Sequence, residues 1–267
     1  EFGLGIIPIT KKDMELNINM NVAFQKNKLI SLSGNYKGSN LTAADIISIG
    51  QLNGAGFHGG NNNIVYQIVG QPLGVFYLPH CTGLHRNDNG SYSYTIADLD
   101  HNGSVNLEDG GDRYIAGQAM PKYYLGMNFS FRYKRFDLMT QMNGAFGHKI
   151  FNGTSLAYMN LSQFPTYNAL AKAPESKIYD QSISDYWLEK GNYLNIDYIT
   201  LGYNIDCKKI EKYVKNIRVT FSVNNVATIT GYSGLSPMIN STTVDKDNND
   251  LGMDNKRFYP LSRTYSL

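Results

Sequence analysis

The chain has 267 residues, a formal net charge of +2 and only 17% charged residues, below the roughly 25% usual in soluble domains. So small a positive balance leaves no electrostatic footprint for nucleic acid, and 42% hydrophobic content argues against disorder. Tyr (20), Phe (12) and Gly (26) are abundant, which suits β-structure, and no run of 18 apolar residues exists to make a membrane-spanning helix.

The first expected strand is Phe2 to Thr10. After a tight Lys11-Lys12-Asp13 link comes the clearest pattern in the chain. Met14, Leu16, Ile18, Met20, Val22 and Phe24 are apolar, whereas Glu15, Asn17, Asn19, Asn21 and Gln25 between them are polar. Side chains alternate faces in a strand, so this segment has one apolar face and one amide-rich face. It lasts about 11 residues, the length that a tilted strand needs to cross a bilayer.

A long stretch rich in Gly, Asn and Ser follows, from Asn27 to Lys122. The alternation then returns at Tyr123 to Tyr133, turns at Lys134-Arg135, and continues from Phe136 to Phe146. After a second long stretch, from Gly147 to Tyr193, Ile199 to Ile205 alternates. A short polar link, Asp206 to Asn216, leads to Ile217 to Val223. A third long stretch, Thr228 to Phe258, precedes a weakly alternating Tyr259 to Leu267. Seven strands are therefore expected. Short links alternate with long ones, as periplasmic turns alternate with extracellular loops in outer-membrane barrels. A soluble sandwich has links of similar, modest length. In a sandwich Leu16, Ile18, Met20, Phe129 and Phe131 would be buried; in a barrel they face lipid. Seven strands with unpaired ends do not close, and open edges are not tolerated in lipid, so the expectation is a barrel portion whose partner strands lie elsewhere. Setting the lysine-bearing turns on the periplasmic side places Cys207 there and Cys81 outside, so the two thiols are expected not to pair.

The sharpest local site is the run Asp98-Leu99-Asp100-His101-Asn102-Gly103-Ser104 through Asp109. Oxygen donors at alternate positions, then Gly for the tight turn, fit a Ca²⁺ loop. Its expected ligands are Asp98, Asp100, Asn102, Ser104 and Asp109, with no flanking helices and a role in stiffening an external loop. The bland reading is an Asx-rich turn closed by its own side chains. Tyr92, Tyr94, Phe164, Tyr167, Tyr179, Tyr186 and Trp187 fall in or near the long links, where rings stack on sugars or pack on a partner protein. The same rings also suit packing within the loops. His58, His80, His85, His101 and His148 match no metal spacing and read as exposed loop residues. No catalytic arrangement is evident, and no enzyme activity is expected.

With these strands placed, the sequence resembles the carboxy-terminal portion of SusC/RagA-like TonB-dependent outer-membrane proteins over nearly its whole length. The similarity runs, in order, through Val69-Gly70-Gln71-Pro72-Leu73-Gly74-Val75-Phe76-Tyr77, Asp98-Leu99-Asp100-His101-Asn102-Gly103, Ile115 to Lys122 and Tyr133-Lys134-Arg135-Phe136-Asp137-Leu138. It continues through Phe146 to Asn152, Ser184-Asp185-Tyr186-Trp187-Leu188-Glu189-Lys190-Gly191-Asn192-Tyr193-Leu194, Tyr232 to Pro237 and Tyr259-Pro260-Leu261-Ser262-Arg263-Thr264-Tyr265. Gln71 and Leu78-Pro79-His80 depart from the family pattern. The resemblance implies an all-β, transmembrane antiparallel β-barrel of about 22 strands, the size class of plugged transporters. Residues 1–267 would be its carboxy-terminal segment, with plug and amino-terminal domains upstream. It further implies an outer membrane of a Gram-negative bacterium, a SusD-like surface lipoprotein as lid, TonB as energy source, and an oligosaccharide substrate with peptide as the main variant. A secreted Ca²⁺-dependent carbohydrate-binding or adhesion module is the alternative from another class.

Overall fold

The alternating segments pair with one another into a single antiparallel sheet. The computed structural model describes residues 1–57, 62–207, 212–239, 251–256 and 258–267. β1 (Phe2–Lys11) and β2 (Met14–Phe24) form the first hairpin. The first long link carries β3 (Gly34–Tyr36), β4 (Ser39–Leu41), β5 (Ile46–Gln51), β6 (Asn63–Ile68), β7 (Val75–Pro79), β8 (Cys81–Arg86), β9 (Tyr92–Ile96) and β10 (Arg113–Gln118). A second hairpin, β11 (Tyr123–Tyr133) and β12 (Phe136–Phe146), returns to the sheet. The next link holds β13 (Lys149–Phe151), α1 (Gly153–Tyr158), α2 (Ala173–Ser176) and β14 (Leu188–Lys190). Then come β15 (Tyr193–Ile205), β16 (Ile217–Thr230) and the short β17 (Thr264–Ser266).

The seven-stranded sheet runs β1-β2-β11-β12-β15-β16-β17, every neighbour antiparallel and in chain order. β1 and β17 are its end strands, so the sheet is an open wall and not a closed barrel. The pairing register collects aromatic rings into two rows. Tyr123 faces both Phe24 and Phe146 at one end, while Tyr133, Phe136 and Tyr203 face one another in turn at the other. Tyr123 and Tyr133 are ten residues apart on β11. At ~3.4 Å per residue and a tilt of ~40°, the rows stand about 26 Å apart, the height of an outer-membrane apolar band between its aromatic girdles.

Among the described residues nothing covers that apolar band. Among the described residues neither hydrophobic core includes a residue of β1, β2, β11, β12, β15 or β16. Leu16, Ile18, Met20, Phe129 and Phe131 are none of them buried. A sandwich needs a second sheet on this face, and there is none among the described residues.

Two strands depart from expectation. β15 begins at Tyr193, not Ile199, because the period-two pattern skips one residue: against β12 a bulge between Ile196 and Tyr198 absorbs Asp197. In the same irregularity on β16, Asn225 takes φ 52°, a left-handed conformation that Asn tolerates well. At the other extreme, only Thr264–Ser266 of the expected Tyr259 to Leu267 strand pairs with β16. Pro260 has no N–H to give a ladder. Side chains hold this segment instead: Asn225 Nδ2 donates to the Ser262 carbonyl at 2.7 Å, and the Arg263 guanidinium donates to the Asn225 and Val226 carbonyls.

The larger difference lies in the long links. Their composition reads as loop, yet together they fold into a cap with its own hydrophobic core. Leu52, Ile64, Val65, Phe76 and Leu78 come from the first link, Phe151, Leu156, Ile178 and Ile183 from the second, Leu251 and Met253 from the third. A four-stranded sheet, β10-β7-β6-β5, lies within it. Parallel bridges stitch the links together, Tyr92 to Ile178 and Phe151 to Met253. Gly252 permits the second bridge. Its φ is +67°, and an added Cβ would stand only 2.5 Å from the Ala119 Cβ and 3.0 Å from Phe76. All three links leave the same end of the wall, so the cap sits over that end.

Candidate functional site

Side-chain type separates the two faces of the wall. One offers alkyl and ring surface; the other aligns hydrogen-bonding groups across successive strands. Pairing sets Asn19 opposite Asn128, Asn128 opposite Gln141, and Gln141 opposite Tyr198. Asn19, Asn128 and Gln141 are exposed, so a row of amides lines the middle of this face. Toward the cap, Asn143 Nδ2 and Asn195 Nδ2 each donate to Asp197 Oδ1 at 2.6 Å, and Thr228 Oγ1 donates to Asn195 Oδ1 at 2.7 Å. Toward the tight turns the face becomes charged but balanced. Arg132 meets Glu15 at 3.1 Å, Arg218 pairs with Asp137, and Arg135 pairs with Asp206. Such part-exposed pairs are worth only ~0–1 kcal/mol each. Their weight here is in fixing charge positions, not in stability. Asp197 was missed in the sequence, although the skip from Ile196 to Ile199 is the signal that marks it.

In the cap, Asp185 gathers several groups. Its carboxylate meets His80 Nδ1 at 2.7 Å, accepts from the Tyr114 hydroxyl at 2.6 Å, and accepts from the Cys81 backbone N–H at 2.7 Å. Ser184 caps the turn that presents it, accepting from the Tyr186 N–H. Both Cys81 and Cys207 are free, one in the cap and the other at the tight-turn end of the wall.

The seven aromatic candidates divide by burial. Tyr94 is a core residue, and its hydroxyl accepts from the Trp187 indole N–H at 2.7 Å. Tyr92, Tyr167 and Trp187 pack against the same core. Only Phe164, Tyr179 and Tyr186 present exposed rings, with Tyr186 propped at 5.2 Å from Tyr94 and 5.0 Å from Trp187.

The acidic loop is built differently from its sequence template. Asp98 and Asp100 do converge, and carboxylate oxygens of Asp98, Asp100 and Asp112 lie within 4.8 Å of one another. Asn102 Oδ1 accepts from the Ser104 N–H and hydroxyl, closing an Asx turn. Gly103 has the positive φ of 88° that the turn demands. Asp109, expected at the last ligand position, points elsewhere: it bonds the Tyr66 hydroxyl and Asn63 Nδ2, 3.7 Å from Arg113. The third carboxylate beside Asp98 and Asp100 is that of Asp112. Backbone N–H groups, that of Asn106 foremost, hold the Asp112 carboxyl below the usual range, and those of Gly103 and Asn102 contribute the same for Asp98. Both carboxylates are thus ionised at neutral pH.

His148 corrects the reading of the histidines as exposed, while His58 lies outside the described residues. His148 is 4% exposed, packed against Gly191 just beyond β12, and among the described residues neither ring nitrogen has a partner. Burial pushes its pKa down to about 4 from an ordinary 6.5. The unfolded chain takes up a proton near pH 6.5 and the folded chain does not, so stability falls as pH drops from 6.5 to 4. The drop is ~3 kcal/mol at most. Hydrogen exchange at Gly191, whose N–H donates to the His148 carbonyl at 3.0 Å, is expected to accelerate over that window beyond its intrinsic pH dependence. His148→Phe should flatten the effect; an unchanged pH response in that variant would assign it to another group.

No family model matches the chain. It is similar to TonB-dependent receptor P3 of Formosa agariphila, 26% identical over 291 residues, covering 100% of this chain and 28% of that protein. It is also similar to TonB-dependent receptor SusC of Bacteroides thetaiotaomicron, 25% identical over 253 residues, covering 90% of this chain and 24% of that one. The chain thus spans about a quarter of the length of these relatives. Among solved structures, the RagAB peptide importer in its closed-closed state matches with a TM-score of 0.66 at 15% identity, over 98% of this chain and 28% of the other. The RagAB peptide transporter matches with a TM-score of 0.64 at 16% identity, over 98% and 28%. At such identities the structural likeness speaks for the fold.

Proposed function

The chain belongs to the SusC/RagA-like TonB-dependent transporters, and on that premise we propose that the whole protein imports oligosaccharide across a Gram-negative outer membrane. Residues 1–267 supply a carboxy-terminal stretch of wall and much of the extracellular cap. The remaining strands of a barrel of about 22, the plug and the TonB-contacting segment belong to sequence outside them. A SusD-like lipoprotein sits over the cap as a lid, with exposed Phe164, Tyr179 and Tyr186 as contacts for lid or substrate. The function is transport and not catalysis, in keeping with relatives named as receptors and importers.

One observation carries the choice of substrate class: the exposed amide row Asn19, Asn128 and Gln141 across the middle of the polar face. Amides donate and accept at once, which matches sugar hydroxyls and leaves the passage uncharged at its centre. Peptide is the second reading, favoured by the fold of the RagAB peptide importer. A strain lacking the gene, supplied in turn with oligosaccharide mixtures or peptide digests as sole carbon source, separates the two. Loss of growth on oligosaccharides alone supports this reading; loss on peptides alone transfers the function to peptide import.

For the acidic loop the proposed cofactor is Ca²⁺, held by Asp98, Asp100 and Asp112 with oxygens of Asn102 and Ser104. Three carboxylates with oxygens within 4.8 Å of one another suit a hard dication. Ca²⁺ at about 100 times its Kd is expected to stabilise the loop by ~2.7 kcal/mol. Limited proteolysis between residues 98 and 112, with and without chelator, reads this out. Equal cleavage in both would leave the loop a self-closed Asx turn.

A further inference from the structure

Three lysines converge where the amide side of the wall passes into the cap. A cleft of about 430 Å³ opens there, lined by Lys122, Lys149 and Lys190 together with Gln71, Gln118 and Asn192. Lys122 continues the pairing of β2 with β11 by one step, its backbone carbonyl accepting from the Gln25 N–H at 2.9 Å. Side chains two apart on a strand share a face, so Lys122 falls in line with Tyr124 and, further along, Asn128. Gln25 Nε2 lies 3.4 Å from the Tyr124 hydroxyl, on that same face.

Lys149 and Lys190 stand opposite each other where β13 pairs with β14. Cβ atoms in such a pair are only ~5 Å apart, and like charges facing each other repel. Among the described residues no Asp or Glu lines the cleft, and none of the three lysines takes part in an ion pair. Glu189, next to Lys190 in sequence, turns to the other face of β14, where Asn152 and Ser233 occupy its carboxylate. The stems of two lysines are also held in place. Lys149 crosses Gly117 so closely that an added Cβ there would stand 2.7 Å from its Cδ, and its ammonium donates to the Ala116 carbonyl at 2.7 Å. An ammonium has three donors, so two remain. Lys122 lies along Gly147, whose added Cβ would stand 3.0 Å from the Lys122 Cβ. Lys122 and Lys190 are exposed, open to a ligand in the cleft.

We propose that this cleft binds an anionic substituent, a carboxylate or sulfate, of the imported oligosaccharide, which makes acidic oligosaccharides the preferred substrates. The proposal rests on the oligosaccharide reading above: the amide row takes the sugar hydroxyls and the lysines take the charge. The test is isothermal titration calorimetry on the full-length native protein in detergent. The probes are hexagalacturonate and its methyl-esterified form, a sulfated galactan hexamer and its desulfated form, hexaglutamate, and inorganic sulfate. At least one charged oligosaccharide is expected to bind roughly 10-fold tighter than its neutralised form. Lys122→Gln with Lys190→Gln should abolish that preference, and Lys122→Arg with Lys190→Arg should keep it. Neutral forms bound as tightly as charged ones, or a preference that survives the glutamine pair, overturn the site and leave oligosaccharide import standing. Binding of hexaglutamate but of no sugar overturns oligosaccharide import itself. Competition by inorganic sulfate as effective as by the sugars assigns the cleft to a free anion and overturns the proposal. Binding of none of the probes overturns it as well.

Discussion

Arginine in place of Phe129 is expected to prevent most of the protein from reaching a folded state in the outer membrane. Phe129 lies on β11 between the two aromatic rows, paired with Ile18 on one side and Thr140 on the other, near the middle of the apolar band. A guanidinium at that depth costs ~2–4 kcal/mol on the lipid face of a barrel, and the packing of the lost ring adds to it. The neighbouring residue supplies the control. Asn128 points to the opposite face, beside Asn19 and Gln141, where water or substrate solvates a charge. Asn128→Arg should therefore fold within ~1 kcal/mol of the wild type. The heat-modifiable electrophoretic mobility of outer-membrane fractions reads out both variants. Equal losses for the adjacent pair would mean that the two faces do not see different media, and the wall argument would fall.

Phe151→Ala is expected to unfold the cap and spare the wall. Phe151 is fully buried, and its backbone is bonded to the third link through the Gly252 carbonyl at 2.9 Å. Truncating a buried phenylalanine costs ~3–5 kcal/mol, a large part of what a small domain possesses. Because no residue of the six long wall strands belongs to the cap core, the damage should stop at the boundary. Hydrogen exchange is expected to show lost protection at 46–51, 63–68 and 75–79 with β11 and β12 unchanged, together with loss of import. If β11 and β12 lose protection too, cap and wall form one cooperative unit.

How far the site was legible follows from the same division. The amide face could be read directly, since Asn17, Asn19 and Asn21 alternate with Leu16, Ile18 and Met20. The charged end could not, because Arg218 meets Asp137 only through the pairing of β12, β15 and β16. The convergence of Asp98 and Asp100 could be read from the sequence, whereas Asp112 as the third carboxylate beside them could not. A sequence template counts positions, whereas Asp109 is drawn away by Tyr66 and Asn63 from the far side of the first link. Among the aromatics, composition alone did not separate the exposed Tyr186 from the core residue Tyr94.

The sequence by itself determined the wall: which residues form its strands, which of its faces is apolar and which is amide-lined, and which ends carry the long links. Each of those follows from a period of two that is local, because every residue of a strand sees one medium or the other. Only the tertiary structure decided that the long links are a folded cap, that His148 is buried, and that Asp112 and not Asp109 joins the acidic cluster. Those outcomes depend on segments as distant as Leu52, Phe151 and Met253 meeting in one core. No local pattern records such a meeting, because the apolar residues that make it are scattered singly among Gly, Asn and Ser.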